Sequence, residues 1–289
     1  MTAPFTAGLC GFRNGLPNTS DSSDKFSIEI GQALFFELGV PPAAEAGPVA
    51  KPWAAAMVAD LTGQLSTAAP HLTVSAERQL LQFEQYAHLG VAKNLGDDAG
   101  FEVASAISAL EGALEADPGL IPGGVLTAVD GLRAAVAGAE ERRRLLLDLM
   151  ADESPLNLDL AVERETITDQ PSAVPPHLVA GFSLKWSLRT DRLQDPRTQG
   201  AQMAALRRGR MPHFAAVTME PRPYFLGRLG MGTGDLDCVY HLALPELDKA
   251  VNAVCVGPRR VKHRDTFRRM VDQRRLRDYG ELVAYLSSL

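Results

Sequence analysis

Apolar residues recur at helical spacing through most of the first half of the chain and switch to strict alternation after residue 155. Asp24 stands two residues ahead of FSIEIGQALFFEL (26–38), so the pattern predicts a helix capped by Asp24, running to Leu38 and closed by Gly39. PPAAEAGP at 41–48 breaks it, and a second helix is expected near Trp53–Leu65. ERQLLQFEQYAHLGVAK (77–93) has apolar positions at helical spacing. Two Ala/Leu-rich stretches, 101–116 and 123–138, are divided by DPGLIPGG, and RRRLLLDLM (142–150) continues the helical theme. Residues 1–24 are rich in Gly, Asn and Ser and read as loop.

The later half predicts strands. PLNLDLAVE (155–163) alternates at Leu156, Leu158, Leu160 and Val162, and His177–Leu188 contains the alternating LVAGFSLKWSL. A helix over about 194–208 follows, then apolar strands at HFAAVTME (213–220) and LDCVYHLAL (236–244). PELDKAVNAV reads as a helix with Pro245 in its first turn, and the tail 258–289 as mostly helical. A helical N-terminal half leading into a mixed sheet flanked by helices is an α/β arrangement.

Composition narrows the class. The chain has 289 residues, 46% hydrophobic and 22% charged, which excludes wholesale disorder. Its apolar runs are interrupted by charge well before the ~18 residues of a membrane span, and the first residues lack a basic-then-apolar secretion pattern. Three scattered cysteines, Cys10, Cys238 and Cys255, exclude a disulfide framework and predict reduced thiols in a cytoplasm. The net charge of −6 conceals two halves: residues 1–170 carry 10 basic and 24 acidic residues, residues 171–289 carry 19 and 11. A basic C-terminal segment attracts phosphate even on an acidic protein, although basic residues also cluster on ordinary solvated helices.

The chemistry concentrates in FSLKWSLRTDR (182–192). On a strand, Ser183, Lys185 and Ser187 share one face. A lysine inside an apolar strand is costly to bury unpaired, and its natural partner is a carboxylate on a neighbouring strand. Asp159, between Leu158 and Leu160, is the candidate. Such a pair can hold a divalent metal and steady a water; the plainer reading is a lysine snorkelling to solvent beside an exposed aspartate. Arg189, Asp191 and Arg192 set two guanidinium forks around one carboxylate. Arginine pairs bidentately with guanine and aspartate accepts from cytosine, so the cluster suits G·C pairs; a surface salt bridge is the alternative.

SLKWSLRTDRLQDPRTQG (183–200), GRMPHFAAVTMEP (209–221), GTGDLDCVYHLALPEL (232–247) and QYAHL (85–89) together resemble the NgoMIV-type restriction endonucleases, type II enzymes that read a central CCGG. The similarity is almost gap-free over 182–254, resumes at MVDQRRLRDYGEL (270–282), and touches NTSDSSDKFSIEIGQAL (18–34). The resemblance implies a restriction-endonuclease-like fold over 1–289 as one domain, with 94–140 a helical insertion. It implies Mg²⁺-dependent hydrolysis of double-stranded DNA at a palindrome, GCCGGC. It also implies a homo-oligomer, a dimer or a tetramer, with a methyltransferase guarding host sites in the cytoplasm and no membrane. Asp159 takes the place of the metal-binding aspartate, with Asp148 in LLLDLM as the other candidate; Ser183 and Lys185 match the Ser-x-Lys of the site. Arg189, Asp191 and Arg192 match the readers of CCGG, and Asp21 a loop aspartate that reads the outer pair.

The chain departs from that pattern at Leu158, where the family has a proline before the aspartate, and in three further places. The glutamate on the helix after the lysine strand is Gln199, a second on an early helix is Ala55, and the outer-pair arginine is Phe225. Gln199 can ligate through its carbonyl but brings no charge. Asp195 or Glu84 could replace the missing carboxylate, and Arg222 or Arg228 the missing arginine. A DNA-binding protein of the same fold with weakened or lost cleavage is therefore a competing expectation. Gly232-Thr233-Gly234 is too short for a phosphate loop, Cys238 and His241 face opposite sides of one strand, and Tyr86 and His88 read as packed residues.

Overall fold

The computed structural model describes residues 1–89, 103, 105–110, 112, 123–150, 156–166, 174–189, 193–232 and 235–289, with side chains of the long helix described over 127–141. The chain divides into two compact units, Met1–Gln85 with Asn157–Leu289, and Tyr86–Leu156.

The first unit opens with α1 (Thr6–Leu9) and a small hairpin of β1 (Phe12–Arg13) and β2 (Leu16–Pro17). The hairpin turns at Asn14 and Gly15, both in the left-handed region. Then come α2 (Lys25–Glu37), α3 (Ala50–Ala68) and β3 (Leu72–Gln79). As the sequence predicts, the Asp24 side chain caps α2 by accepting from the Phe26 amide, and Gly39 ends the helix at φ +68. In the second unit a single helix, α4, runs Gly123–Met150; the stretches 123–138 and 142–150 are one element rather than two.

The rest of the first unit is β4 (Asn157–Arg164), β5 (His177–Lys185), α5 (Asp195–Leu206), β6 (His213–Thr218), α6 (Pro223–Gly230), β7 (Cys238–His241), α7 (Leu244–Val254), α8 (Val261–Asp272), β8 (Leu276–Asp278) and α9 (Tyr279–Ser287). Strands β3 to β8 form a six-stranded sheet in chain order. β3, β4 and β5 pair antiparallel, whereas β5 to β8 run parallel, so the sheet is mixed. The parallel strands are buried on both faces, as continuous apolar runs require. Helix α3 covers β3 and β4 with the stripe Trp53, Met57, Leu61 and Leu65, spaced every four residues. α5 packs on β6 and α6 on β7.

Other parts of the sequence reading change too: residues 1–24, read as loop, hold α1 and the β1–β2 hairpin. Residues 77–79 belong to edge strand β3, and 80–82 form a single 3₁₀ turn, so 77–93 is not one helix; of the rest, 87–89 form a helical turn and 90–93 lie outside the described residues. LTVSAERQ can alternate as well as it can spiral, and pairing with β4 from Leu72↔Arg164 to Gln79↔Asn157 decides the matter. Three-residue β8 interrupts the helical tail, too short for alternation to show. All three cysteines are free and buried. Among the described residues no helix is long and apolar enough to cross a membrane.

One buried group makes this core sensitive to acid. His241, at the end of β7, is fully buried; its Nδ1 accepts from the Ala243 amide, and its Nε2 has no hydrogen-bond partner among the described residues. Burial pushes its pKa down from 6.5 to about 4. Between these values the unfolded chain takes up the proton more readily than the folded one, so stability present above pH ~6.5 is lost as the pH falls toward ~4, on the order of 3 kcal/mol. Thermal melts from pH 7 to 4 should show a steeper fall in Tm for the wild type than for His241→Gln, which keeps an acceptor but cannot titrate.

Candidate active site and recognition edge

The ladder between β4 and β5 ends at Leu160↔Phe182. Beyond it β5 continues in register with β6 as far as Lys185↔Thr218. The strands part there, and the Leu184 amide loses the carbonyl partner that a longer ladder would supply. The carboxylate of Asp159 takes its place: Oδ2 accepts from the Leu184 amide at 2.7 Å and lies 3.4 Å from the Ser183 hydroxyl. Ser183 is buried, so its hydroxyl needs this neighbour. Asp159 and the Ser-x-Lys strand therefore meet where the sequence placed them.

Lys185 is the last residue of β5, on the same face as Ser183. Its ion pair is with Asp195 Oδ2 at 3.6 Å rather than with Asp159, so the partner comes from the following helix and not from the neighbouring strand. Asp195 opens α5, where a carboxylate is favoured by the helix N-terminus, and Pro196 sits in the same first turn. Gln199 follows one turn later on the same side of α5 and is half-buried. Ala55 is exposed on α3, away from the buried Trp53 stripe. Glu84 is committed elsewhere. It receives His177 Nδ1 at 2.5 Å and the Thr166 hydroxyl at 2.8 Å. Burial would raise its pKa, but these two contacts outweigh it and hold the carboxyl below its ordinary value. His177 starts β5, about 26 Å by strand rise from Lys185, so Glu84 stands at the wrong end of the strand to replace a site carboxylate. Asp148 lies on α4, helical as its surroundings predict; its side chain lies outside the described residues.

Asp159, Asp195 and Gln199 are all oxygen donors, the set a hard divalent cation takes. They suit such an ion, with two carboxylates and one neutral amide. Among the described residues no three His, Cys, Asp or Glu side chains gather at a metal-sized site, so the charge available is modest.

Of the residues expected to read DNA, Arg189 leaves the same strand end. Arg189 is exposed just past β5, and its carbonyl accepts from the Leu193 amide. Asp191 and Arg192 lie outside the described residues. Asp21 sits in the loop before α2; the hydroxyl and amide of Ser23 hold its pKa down, burial opposes them, and the Arg222 and Arg189 guanidiniums add to the lowering. Asp21 and Arg189 are thus within electrostatic reach of one another. Trp186 ties the same loop region to β5, giving its indole N–H to Asn18 Oδ1 at 3.2 Å and packing T-shaped with Trp53 at 5.3 Å between ring centroids. Arg228 is exposed on α6, with its guanidinium at the Tyr224 hydroxyl.

Arg222 cannot serve as a free reader. It is only 3% exposed, stacked over the Phe225 ring at 4.0 Å, and bonded to Glu220 and the Leu188 carbonyl. Sequence reasoning missed Glu220 altogether. An acid one residue before proline reads as a turn, and only its burial reveals a structural anion.

The family model for the NgoMIV restriction enzyme matches residues 132–287, more than half of the chain. The chain belongs to the NgoMIV restriction enzyme family. The type II restriction enzyme NgoMIV of Neisseria gonorrhoeae is 30% identical over 204 residues, covering 71% of this chain and 62% of that enzyme. The matched region spans β4 to α9 and so contains Asp159, Ser183, Lys185, Gln199 and the 189–192 segment.

The seat of α5 is strict. A Cβ on Gly200 would come within 1.8 Å of the Asp235 carbonyl oxygen, and Arg197 of the same helix pairs with the Asp235 carboxylate at 3.1 Å. Gly200→Ala must push α5 away from residue 235. We expect it to cost about 1–3 kcal/mol in urea denaturation, whereas Ala201→Gly, at an exposed position of the same helix, costs about 1 kcal/mol or less.

Proposed function

We propose that the protein is a cytoplasmic type II restriction endonuclease that hydrolyses double-stranded DNA at a palindrome with a CCGG core, GCCGGC. The observation that carries this reading is the junction of Asp159 with the Ser183 and Leu184 end of β5, one residue from Lys185. Family membership supports it, and so does the Arg189 segment leaving the same strand. A two-fold DNA site calls for a two-fold protein, so the working form is a homo-oligomer, a dimer or a tetramer. A methyltransferase of the same specificity is the genetic partner that such an activity requires.

The roles follow from position. Asp159, with Asp195 and the carbonyl of Gln199, would hold Mg²⁺. When bound, that ion supplies charge stabilisation to the phosphodiester under attack. Ser183 and the Leu184 amide fix the Asp159 carboxylate. Lys185 orients the attacking water and offsets charge growing on the phosphate oxygens. Arg189, Asp191 and Arg192 read the central pairs, while Asp21 and Arg228 face the outer ones.

A second reading has its own observation. Gln199 and Ala55 are neutral where two family carboxylates align, and Ala55 is solvent-exposed with no acid beside it in sequence. A protein that binds the site and cuts feebly fits these facts. Incubation with plasmid and Mg²⁺, followed by mapping of fragment ends, separates the two. Discrete cuts inside CCGG, lost in Lys185→Ala, support the endonuclease; selective binding without cuts in Mg²⁺ or Mn²⁺ supports the binding protein. Gln199→Glu should lower the Mg²⁺ concentration for half-maximal cleavage severalfold. An unchanged requirement would place Gln199 away from the ion.

A further inference from the structure

Glu220 and Arg222 form a buried ion pair immediately after β6, outside the Asp159–Lys185 site. Glu220 is fully buried. Its Oε1 accepts from the Arg222 amide at 3.0 Å and from Arg222 Nε at 2.6 Å, and its Oε2 from the Leu188 amide at 2.7 Å and Arg222 Nη2 at 3.1 Å. Arg222 Nη2 also donates to the Leu188 carbonyl at 2.6 Å. Both backbone groups of Leu188 are therefore gripped by one ion pair, one residue before Arg189. The remaining arm of the guanidinium, Nη1, lies 3.4 Å from Asp24 Oδ2 and 3.6 Å from Asp21 Oδ2. Phe225 closes the underside.

A buried ion pair is a poor way to gain stability, because desolvation cancels much of the attraction. Fixing geometry is a better reason for it. A planar fork with five donors can hold three separate chain segments at set distances and angles, which a lysine ammonium cannot. The three segments held here are the loop of Asp21, the exit of β5 carrying Arg189, and the turn after β6.

We propose that Arg222 is a positioning residue for target discrimination: with Glu220 it locks the Asp21 loop and the Arg189 segment into one rigid reading edge. This rests on the endonuclease reading for its biological meaning, although the mechanical lock is a property of the fold itself. Arg222 touches no base in this scheme. Its effect appears as the ratio between rates on the correct and on the wrong sequence, because misaligned readers lose more on the site they were shaped for than on others.

The test uses three full-length proteins: wild type, Arg222→Lys and Asp24→Asn. Lysine keeps the positive charge opposite Glu220 and loses the fork. Asparagine still caps α2 but removes the nearer of the two charges facing Nη1, leaving that of Asp21. Two quantities are measured: kcat/KM on a 20-base-pair duplex bearing GCCGGC relative to the same duplex with one core pair exchanged, and amide hydrogen exchange at 188–193 relative to β6. We expect the discrimination ratio to fall about tenfold in Arg222→Lys and about threefold in Asp24→Asn, a part of what one bidentate reader contributes. We also expect exchange to rise at 188–193 but not in β6. Discrimination within twofold of wild type, together with unchanged protection at 188–193, overturns the proposal. Should Arg222→Lys fail to fold, Asp24→Asn decides it by the same two readouts. If the wild type neither binds nor cuts the duplex selectively, the endonuclease reading and the discrimination role fall together. Exchange at 188–193 then still decides whether the lock exists.

Discussion

The chemistry of this fold depends on where two strands stop pairing. Had the ladder between β4 and β5 run on, the Leu184 amide would have met a β4 carbonyl and Asp159 would not have been bound to it. Because the ladder ends at Leu160↔Phe182, a carboxylate fills the vacant acceptor position and is thereby fixed to the strand that carries Ser183 and Lys185. A backbone donor that cannot be left unsatisfied becomes the anchor of a reactive group. The parallel pairing of β5 with β6 holds the other side of that strand still, so the lysine leaves the sheet at a defined height.

Much of this was legible in the sequence, for particular reasons. Alternation around Leu158, Leu160 and Val162, and again through 178–184, fixes which side chains share a face, and so singles out Asp159 and Lys185 as polar residues within apolar strands. Capping chemistry located α2 to within a residue or two, because Asp24 and Gly39 act through local geometry alone. The misses have a common origin in tertiary context. LTVSAERQ becomes a strand only because β4 lies beside it. Lys185 pairs with Asp195 because α5 folds back over the strand end, an arrangement that no spacing rule encodes. Arg222 looked like a free cation in the sequence. Only burial against Glu220 and Phe225 shows it to be interior structure.

The oxygen donors proposed to hold the metal come from two different elements. Asp159 belongs to the sheet, whereas Asp195 and Gln199 belong to a helix whose position is dictated by the contact of Gly200 with residue 235. The neutral side chain is thus on the element that could most easily have supplied another charge.

The pairing of Gln79 with Asn157 has an architectural consequence. The chain leaves the sheet at one member of this pair and re-enters at the other, so everything between them hangs from the two ends of what is topologically a β-hairpin. The entropy of closing such a loop grows only logarithmically with its length. Past Gln85, whose side chain still bonds to Leu178, the residues up to Leu156 can therefore change in number while strand register, and with it the spacing of Asp159, Ser183 and Lys185, stays the same. The molecule carries a built-in place for lineage-specific elaboration that leaves its sheet untouched.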